Sequence, residues 1–233
     1  MSRQLALKVG LSDRASFDNF HSGPNLEAVQ AVREAAAERP GVLYLHGPSG
    51  SGKSHLLYAA LKEAQKQARP AVYVSRAAAR AAADWMDLPG DGLVCIDDIG
   101  ERLAPAEGAG LFSLYERSRS RSGSLMLASR PPPQAVDWRL ADLYSRLRSG
   151  LAYRLVPLGE RDLEEALRMR AVHRGIHLPD EVMRFMLRRY ERSPSTLFHL
   201  LDRIDSQSLV HKRRITIPFL RTLEAEGDPA APE

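Results

Sequence analysis

The sequence predicts an α/β fold, a parallel sheet with flanking helices, followed by a small all-α domain. Three observations lead to this prediction. Short apolar runs alternate with helical patterns through the first part of the chain, and such alternation implies a parallel sheet covered on both faces. A glycine-rich turn joins the first apolar run to the next helical pattern. From Leu158 onward only helical patterns remain.

The first part of the chain contains the predicted strands and the helices between them. A helix is predicted over 25–38, with Asn25 as its candidate N-cap and Pro40-Gly41 ending it. The predicted strands cover 42–45, 71–74, 93–96 and 125–128. The other predicted helices lie near 56–64, 77–86 and 110–118.

The second part is predicted to be helical throughout. Apolar residues at helical spacing indicate helices over 163–170 and 197–204, and Pro179-Asp180-Glu181 is a start signal for the helix between them. Thr216 is a candidate cap of a last short helix. The final residues, 228–233, have the composition of a frayed end.

The composition is that of an ordinary globular protein. With 233 residues, 44% of them hydrophobic and 27% charged, the chain has room for one large or two small domains. No apolar run approaches the roughly 18 residues of a membrane span, and no export signal is apparent, so we expect a cytoplasmic protein. Because the chain has a single cysteine, Cys95, disulfides within the chain and cysteine metal sites are excluded. Cys95 lies in an apolar run, which predicts a small buried side chain.

The chain is mildly basic, with a formal net charge of +4 at pH 7. Basic residues concentrate in two clusters, either of which could contact nucleic acid phosphates. A solvated helix face or loop is the other interpretation, and the absence of interleaved aromatic residues favours it. The clusters consist of Arg117, Arg119 and Arg121, and of Lys212, Arg213 and Arg214.

The glycine-rich stretch between the first strand and its helix fits the phosphate-binding pattern G-x-x-x-x-G-K-[ST]. Its glycines let successive backbone N–H groups turn around phosphate oxygens, and the helix N-terminus adds partial positive charge. Lys53 would reach the β- and γ-phosphates, and Ser54 would ligate Mg²⁺. The stretch consists of Gly47, Pro48, Ser49, Gly50, Ser51, Gly52, Lys53 and Ser54.

Two acidic residues follow the third predicted strand. Asp97 would hold Mg²⁺, directly or through water, and Asp98 would orient or deprotonate an attacking water. Taken alone, an apolar run that ends in two aspartates is typical of a strand meeting a turn. Combined with the phosphate loop, it predicts a site for a nucleotide and Mg²⁺.

These two motifs resemble the Walker motifs of AAA+ ATPases, and nearly the whole chain is similar to the bacterial replication initiator DnaA and its shorter Hda-type relatives, the regulatory inactivators of DnaA. The stretch 16–20 resembles the segment that helps to enclose adenine in these proteins. The resemblance implies an AAA+ P-loop nucleotide-binding core with a helical lid, and ADP or ATP as ligand. Phe17 and Phe20 are the implied contacts on the adenine side, and His55 after the loop is a further candidate contact of the nucleotide.

Arg146 lies in the stretch 143–151, which resembles the arginine-finger box of the family. The resemblance implies that Arg146 acts in trans on ATP bound to DnaA, where an arginine stabilises the charge of the transition state. Arg139 and Arg148 are nearby alternatives. A surface arginine in a loop is the simpler interpretation of the box taken alone.

The N-terminal segment contains Gln4, Leu5, Leu7 and Val9, which resemble the peptide that bacterial replication proteins insert into the DNA polymerase III sliding clamp (β subunit). The same alternation is typical of a half-buried strand paired with the domain edge. The initiator's helix-turn-helix domain has no counterpart after the lid in this sequence, which favours the clamp peptide. DNA contact would then be indirect, through the clamp.

Two positions depart from the family pattern and weaken the case for autonomous ATP hydrolysis. The polar sensor after the fourth strand, usually Asp or Asn, is Ser129 or Arg130 here. The sensor arginine expected in the lid is Ser195, unless Arg168 or Arg170 substitutes for it. Without that guanidinium a γ-phosphate loses a charge-assisted partner, which favours ADP held as a structural ligand.

We therefore expect a cytoplasmic, nucleoid-associated negative regulator of replication initiation, with weak or no ATPase activity of its own. The alternatives are a self-hydrolysing AAA+ accessory ATPase, such as a helicase- or clamp-loading factor, and a clamp-tethered adaptor with a structural nucleotide. Formation of a homo-oligomer stays open. The expected divisions are a tail that includes the start of the nucleotide pocket, a nucleotide-binding core, a helical lid and a disordered end: 1–22, 23–157, 158–227 and 228–233.

Overall fold

A five-stranded parallel sheet organises the first of two compact units in the computed structural model, which describes residues 15–37, 40–78, 85–211 and 214–225. The strands are β1 (Gly41–His46), β2 (Ala71–Ser75), β3 (Leu93–Asp97), β4 (Ser124–Ser129) and β5 (Leu151–Arg154). Their order is β2-β3-β4-β1-β5, and every pair is parallel. The predicted α/β class and its strands are confirmed, and β5 adds an edge that the sequence patterns did not indicate.

The register of the sheet brings the carboxyl ends of its strands to one edge. His46 of β1 lies opposite Ser129 of β4, and Ser75 of β2 lies opposite Asp97 of β3. Ligand sites of parallel sheets lie beyond the carboxyl ends of the strands. The segment that follows β1 is the predicted phosphate loop, so this edge carries the candidate site.

Helices cover both faces of the sheet in this unit. They are α1 (Leu26–Ala37), α2 (Lys53–Lys66), α3 (Pro105–Ser120) and α4 (Ala141–Leu147). Helices α1 and α2 pack on one face, and α3 and α4 on the other. Each face has its own core because alternate strand residues point to opposite sides, so β3 sends Cys95 to the first core and Ile96 to the second. Cys95 is fully buried, as predicted.

The predicted N-cap role of Asn25 is wrong. Asn25 is buried at the end of a short 3₁₀ helix, Gly23–Asn25, that precedes α1. Its Nδ2 donates to the Val156 carbonyl at 2.9 Å, and the Val156 N–H donates to its Oδ1 at 2.7 Å. The side chain therefore holds the segment after β5 rather than the start of a helix.

Other differences from the predicted elements concern their extent. The helix predicted near 110–118 is α3, which begins at Pro105 because the Ala104 N–H donates to the Glu107 carboxylate at 2.7 Å and fixes the first turn. The short helix α4 was not predicted. The helix predicted near 77–86 and the end of the chain, 228–233, lie largely or wholly outside the described residues.

The second unit, which begins at Leu158, is helical. Its helices are α5 (Glu160–His173), α6 (Asp180–Arg189), α7 (Pro194–His211) and α8 (Ile217–Ala225). They share one apolar core, in which Leu167, Met186 and Leu201 are fully buried. The Phe219 N–H donates to Thr216 Oγ1 at 3.4 Å, so the predicted cap of α8 is confirmed.

The first basic cluster is in part structural. Arg117 Nη2 donates to the carbonyls of Trp85 and Leu88 at 2.7 and 3.1 Å, so this guanidinium fixes a neighbouring segment. Arg119 is exposed, whereas Lys212 and Arg213 of the second cluster lie outside the described residues. Within the described ranges, no helix has the length and apolar character needed to cross a membrane.

Candidate nucleotide-binding site and arginine surface

The phosphate loop runs from β1 to α2, and two of its glycines are sterically required. Gly47 has φ +149°, and a Cβ at this position would lie 2.4 Å from the Leu155 carbonyl oxygen. Gly52 has φ +98°, and its Cβ would lie 2.7 Å from Phe20 Cε2. The loop backbone is therefore packed too closely against its surroundings for any side chain at these positions.

Lys53, the first residue of α2, folds back over the loop. Its Nζ donates to the carbonyl oxygens of Gly47 and Pro48, both at 2.8 Å. These acceptors are neutral, and an anionic phosphate oxygen is the stronger partner for an ammonium group. The lysine therefore lies over the phosphate loop, and its contact with the β- and γ-phosphates stays a prediction.

The charges around the loop are mutually coupled. Burial lowers the pKa of Lys53, and the charge of Arg130 lowers it further, while the carboxylate of Asp97 raises it. Burial, followed by the charges of Arg154 and Lys53, lowers the pKa of His46 below its usual value near 6.5. His46 is therefore neutral at pH 7, and Lys53 is the cation nearest to the loop carbonyls.

The predicted metal-binding side chains are in direct contact. Ser54 Oγ donates to Asp97 Oδ2 at 2.5 Å. The Tyr73 hydroxyl donates to the same oxygen at 2.6 Å, and the Asp98 N–H donates to Asp97 Oδ1 at 2.9 Å. Burial, then the charge of Asp97 and this hydrogen bond, raise the pKa of Tyr73 well above its usual value, so its hydroxyl stays protonated and remains a donor.

These oxygen donors fit Mg²⁺. The ion prefers oxygen ligands and keeps several of its waters, so one hydroxyl and one carboxylate are a sufficient protein contribution. Ser54 is the second residue of α2, and Asp97 ends the strand β3. Ser54 and Asp97 would hold the ion, and the ion would neutralise phosphate charge.

Asp98 differs from Asp97 in exposure and in backbone conformation. It has φ +57°, in the left-handed region, and its side chain is exposed whereas Asp97 is buried. Aspartate tolerates this conformation better than most residues. The exposed carboxylate of Asp98 follows Asp97, the candidate metal ligand, and its role as a water-orienting acid stays a prediction.

The aromatic residues predicted for the adenine side occupy different environments. Phe17 is buried in the core and is covered by Arg33, whose guanidinium carbon lies 4.3 Å from the ring centroid. Phe20 packs on Gly52 of the loop and lies 5.1 Å from the His55 ring, centroid to centroid. Phe20 and His55 therefore form the aromatic wall beside the loop, and Phe17 supports it from the core.

The structure separates the two candidates for the sensor after β4. Ser129 is fully buried, and its hydroxyl donates to the Gly100 carbonyl at 3.2 Å. Arg130 is exposed, its carbonyl accepts the Gly47 N–H at 3.2 Å, and its charge lowers the pKa of Lys53. Of the two, Arg130 is the residue whose charge acts on the phosphate loop.

The lid residues considered as substitutes for a sensor arginine are engaged within the helical unit. Arg168 pairs with Asp180 at 2.7 Å and with Glu164 at 2.9 Å. Arg170 lies over the Phe198 ring, with 4.6 Å from the guanidinium carbon to the centroid. Ser195, at the expected sensor position, has only a hydroxyl, which lies 3.0 Å from Ser193 Oγ.

Arg146 lies near the end of α4, with its side chain 39% exposed. Its Nε pairs with Glu116 of α3 at 3.2 Å, and its guanidinium carbon lies 5.9 Å from the Phe112 ring centroid. This contact is an ion pair without a hydrogen bond, because Glu116 Oε1 has no hydrogen-bond partner among the described residues. Arg146 opens onto a polar groove of about 510 Å³ lined by Tyr115, Arg119, Asp142, Ser145, Arg146 and Ser149.

The two alternatives to Arg146 differ from it in their contacts. Arg139 has φ +61° and pairs with Asp137 at 3.2 Å, and it does not line the groove. Arg148 is exposed at the end of α4 and also lies outside the groove lining. Among the three arginines, only Arg146 combines an ion pair that fixes its position with access to the groove.

Tyr73 is a site residue that the sequence motifs did not identify. It lies in β2, and its ring stacks on that of Tyr58 in α2, with centroids 4.0 Å apart and planes 18° apart. A register argument would have found it, because Tyr73 pairs with Cys95, and Asp97 follows two residues later on the same strand face. The clamp-peptide residues Gln4, Leu5, Leu7 and Val9 lie outside the described residues.

Two family models match separate parts of the chain. The model described as the bacterial DnaA ATPase domain matches residues 11–83, and the model described as the lid domain of Hda matches residues 160–223. The first range contains the phosphate loop. The second contains most of the helical unit.

Solved structures with the same fold include DnaA. Domain III of the replication initiation protein DnaA from Thermotoga maritima is 19% identical, with a TM-score of 0.73 over 91% of this chain and 96% of that chain. AMPPCP-bound DnaA from Aquifex aeolicus is 22% identical, with a TM-score of 0.65 over 84% of this chain and 66% of that chain.

A further solved structure with a similar fold is a branch migration motor. The Holliday junction branch migration motor RuvB from Thermotoga maritima is 22% identical, with a TM-score of 0.66 over 92% of this chain and 73% of that chain. At these identities the likeness concerns the fold. Together with the two family matches, it supports a DnaA/Hda-like AAA+ protein.

Proposed function

We propose that this protein is a negative regulator of replication initiation, which binds an adenine nucleotide and the sliding clamp and supplies Arg146 to ATP bound by DnaA. The observation that carries the proposal is the state of Arg146. Its guanidinium is partly exposed, pairs with Glu116 at 3.2 Å, and opens onto a groove whose lining includes no residue of the phosphate loop. An arginine in this arrangement is suited to the phosphate of a neighbouring protein.

The chemistry asked of Arg146 is charge stabilisation. During phosphoryl transfer negative charge spreads over the oxygens of the transferred group, and an arginine supplied in trans is worth about 10³–10⁵ in rate. Two terminal guanidinium nitrogens form a fork that matches two such oxygens. Glu116 would keep the fork turned outward by holding Nε at 3.2 Å.

The protein's own nucleotide site is assigned a supporting role. Lys53 would bind the phosphates, and Ser54 and Asp97 would hold Mg²⁺. The lid position where a sensor arginine is expected carries Ser195, and Arg168 and Arg170 are engaged within the helical unit. A γ-phosphate would therefore lack the lid arginine as a partner, which favours ADP as the resident nucleotide.

The clamp-binding part of the proposal is supported by the sequence alone. Gln4 would hydrogen-bond at the rim of the clamp pocket, and Leu5, Leu7 and Val9 would fill its groove. Binding to the clamp would bring Arg146 close to DnaA at replicating DNA.

An accessory ATPase that hydrolyses its own ATP is the second candidate function. Asp98 favours it, because its side chain is exposed and it follows Asp97, the candidate metal ligand, so that its carboxylate could reach a water. This candidate requires appreciable ATP turnover by the isolated protein. The first candidate requires turnover only with DnaA present.

Single-turnover hydrolysis of ATP pre-bound to DnaA, measured with the clamp loaded on DNA, tests the proposal. The wild-type protein should accelerate hydrolysis, and Arg146→Ala should remove about 10³-fold or more of the acceleration. Arg148→Ala, an exposed arginine two positions later outside the groove, is the matched control and should keep it. Failure of the wild-type protein to accelerate hydrolysis would overturn the proposal.

A further inference from the structure

The Asp97 carboxylate accepts three hydrogen bonds from within the chain. A carboxylate offers about four acceptor positions, two on each oxygen. Ser54 and Tyr73 both donate to Oδ2, at 2.5 and 2.6 Å, and the Asp98 N–H donates to Oδ1 at 2.9 Å. One position on Oδ1 therefore remains for an ion or for one of its waters.

Tyr73 is itself held firmly. Its ring stacks on Tyr58 with centroids 4.0 Å apart, and both rings belong to a small core cluster with Ala15 and Leu61. The register between β2 and β3 fixes the position of Tyr73 along the strand relative to Asp97. Its hydroxyl is therefore aimed at Asp97 by packing and by register, and it acts as a preorganised donor.

We propose that Tyr73 is a positioning residue for Mg²⁺: its hydroxyl fixes the rotation of the Asp97 carboxylate, so that Oδ2 faces Ser54 and Oδ1 is presented to the metal or its water. This inference rests on the proposed nucleotide and Mg²⁺ site. Hydrogen bonds that orient a ligating carboxylate are worth about 10–100-fold in metal affinity. Tyr73 thus sets how strongly Mg²⁺ strengthens nucleotide binding.

The test measures the affinity of the full chain for ADP in the presence of Mg²⁺ and in the presence of EDTA. The quantity compared is the ratio of the affinity with Mg²⁺ to the affinity with EDTA. Tyr73→Phe keeps the stacked ring and removes the hydroxyl, so the ratio should fall about 10-fold while affinity in EDTA stays near that of the wild type. Tyr153→Phe removes the hydroxyl of a partly buried tyrosine on β5, at the sheet edge opposite β2, and is the control. Its ratio should stay within about twofold of the wild-type value.

The outcomes distinguish failure of the proposed Mg²⁺ site from failure of the role of Tyr73. A wild-type ratio of one, unchanged in Asp97→Asn, would overturn the metal site and with it the role of Tyr73. A wild-type ratio well above one that Tyr73→Phe leaves unchanged would overturn the role of Tyr73 alone. A ratio that rises in Tyr73→Phe would show that the tyrosine competes with the ion, which also contradicts positioning.

A measurement on the wild-type chain covers the case in which Tyr73→Phe does not fold. With ¹³C-labelled tyrosine, the Cζ resonance of Tyr73 should shift when Mg²⁺ is added to the ADP complex, because its hydrogen bond to Asp97 responds to the ion. The Tyr58 resonance should shift less. A Tyr73 resonance that does not respond to Mg²⁺ would contradict the proposal.

Discussion

The phosphate-loop edge of the sheet and the Arg146 groove are built in opposite ways. At the loop, the polar side chains already have hydrogen-bond partners within the chain. Lys53 donates to two loop carbonyls, and Asp97 accepts three hydrogen bonds. In the groove, Arg146 uses Nε for one partner, and its side chain is 39% exposed.

The difference indicates which site depends on a partner. A preorganised, partly buried set of groups can hold a small ligand by itself, because the donors and acceptors are already in place. An exposed guanidinium fork gains most of its interaction energy when a partner removes it from water. We infer that the phosphate loop binds a ligand of this protein itself, whereas the Arg146 groove acts on a ligand bound by a partner protein.

Replacing Gly47 should have the largest effect on the loop side of this comparison. In Gly47→Ala the new Cβ would lie 2.4 Å from the Leu155 carbonyl oxygen, so the loop must move. We expect a loss of at least about 100-fold in nucleotide affinity, equivalent to about 2.8 kcal/mol, measured by calorimetry. Gly41→Ala is the control, because Gly41 has a similar φ of +145° and open space around its Cβ position. Equal losses in both variants would show that backbone strain, not the clash, is responsible.

Replacing Asn25 should have an intermediate effect, because Asn25 supports the loop indirectly. It holds Val156, the neighbour of the Leu155 carbonyl that backs Gly47. Asn25→Ala leaves a backbone N–H and a carbonyl of Val156 without their partner and should reduce the free energy of unfolding by about 1–3 kcal/mol. Chemical denaturation measures this, with Gln134→Ala, an exposed amide, as the control. No change in stability would mean that water replaces the amide.

Replacing Glu116 should have the smallest effect on stability, and it tests whether Glu116 positions Arg146 in the groove. The Arg146–Glu116 pair is 39% and 40% exposed, so Glu116→Gln should change the free energy of unfolding by less than about 1 kcal/mol. Stimulation of DnaA should nevertheless fall, because Arg146 would lose the partner proposed to position its guanidinium. Glu27→Gln, an exposed glutamate on α1, is the control for both measurements. Increased stimulation would show that the pair restrains Arg146 instead of positioning it.

Features specified by local sequence were predictable, and features specified by distant contacts were not. The phosphate loop was found because its glycines, lysine and serine are required within one turn of chain. The interaction of Asn25 was missed because its partner, Val156, lies 131 residues away. The edge strand β5 was missed because it is short and mostly exposed, so it lacks the apolar run of a central strand.

The site shows the same division. Ser54 and Asp97 were predicted together because the two motifs imply one shared metal site. In the structure Ser54 Oγ lies 2.5 Å from Asp97 Oδ2. Tyr73 carries no motif, and its contact with Asp97 follows only from the register of β2 on β3. The ion pair of Arg146 with Glu116 was missed for the same reason, since α3 and α4 meet through tertiary packing.

The most direct test of where the chemistry occurs compares Asp98→Asn with Arg146→Ala. Asp98→Asn removes the acid on which hydrolysis in this protein's own site would depend, and Arg146→Ala removes the group offered to the partner. The measurement is the single-turnover rate of ATP held by DnaA, with the clamp on DNA. We predict that Asp98→Asn keeps the stimulation, while Arg146→Ala lowers it about 10³-fold or more. Loss of stimulation in Asp98→Asn together with its retention in Arg146→Ala would contradict a trans-acting arginine.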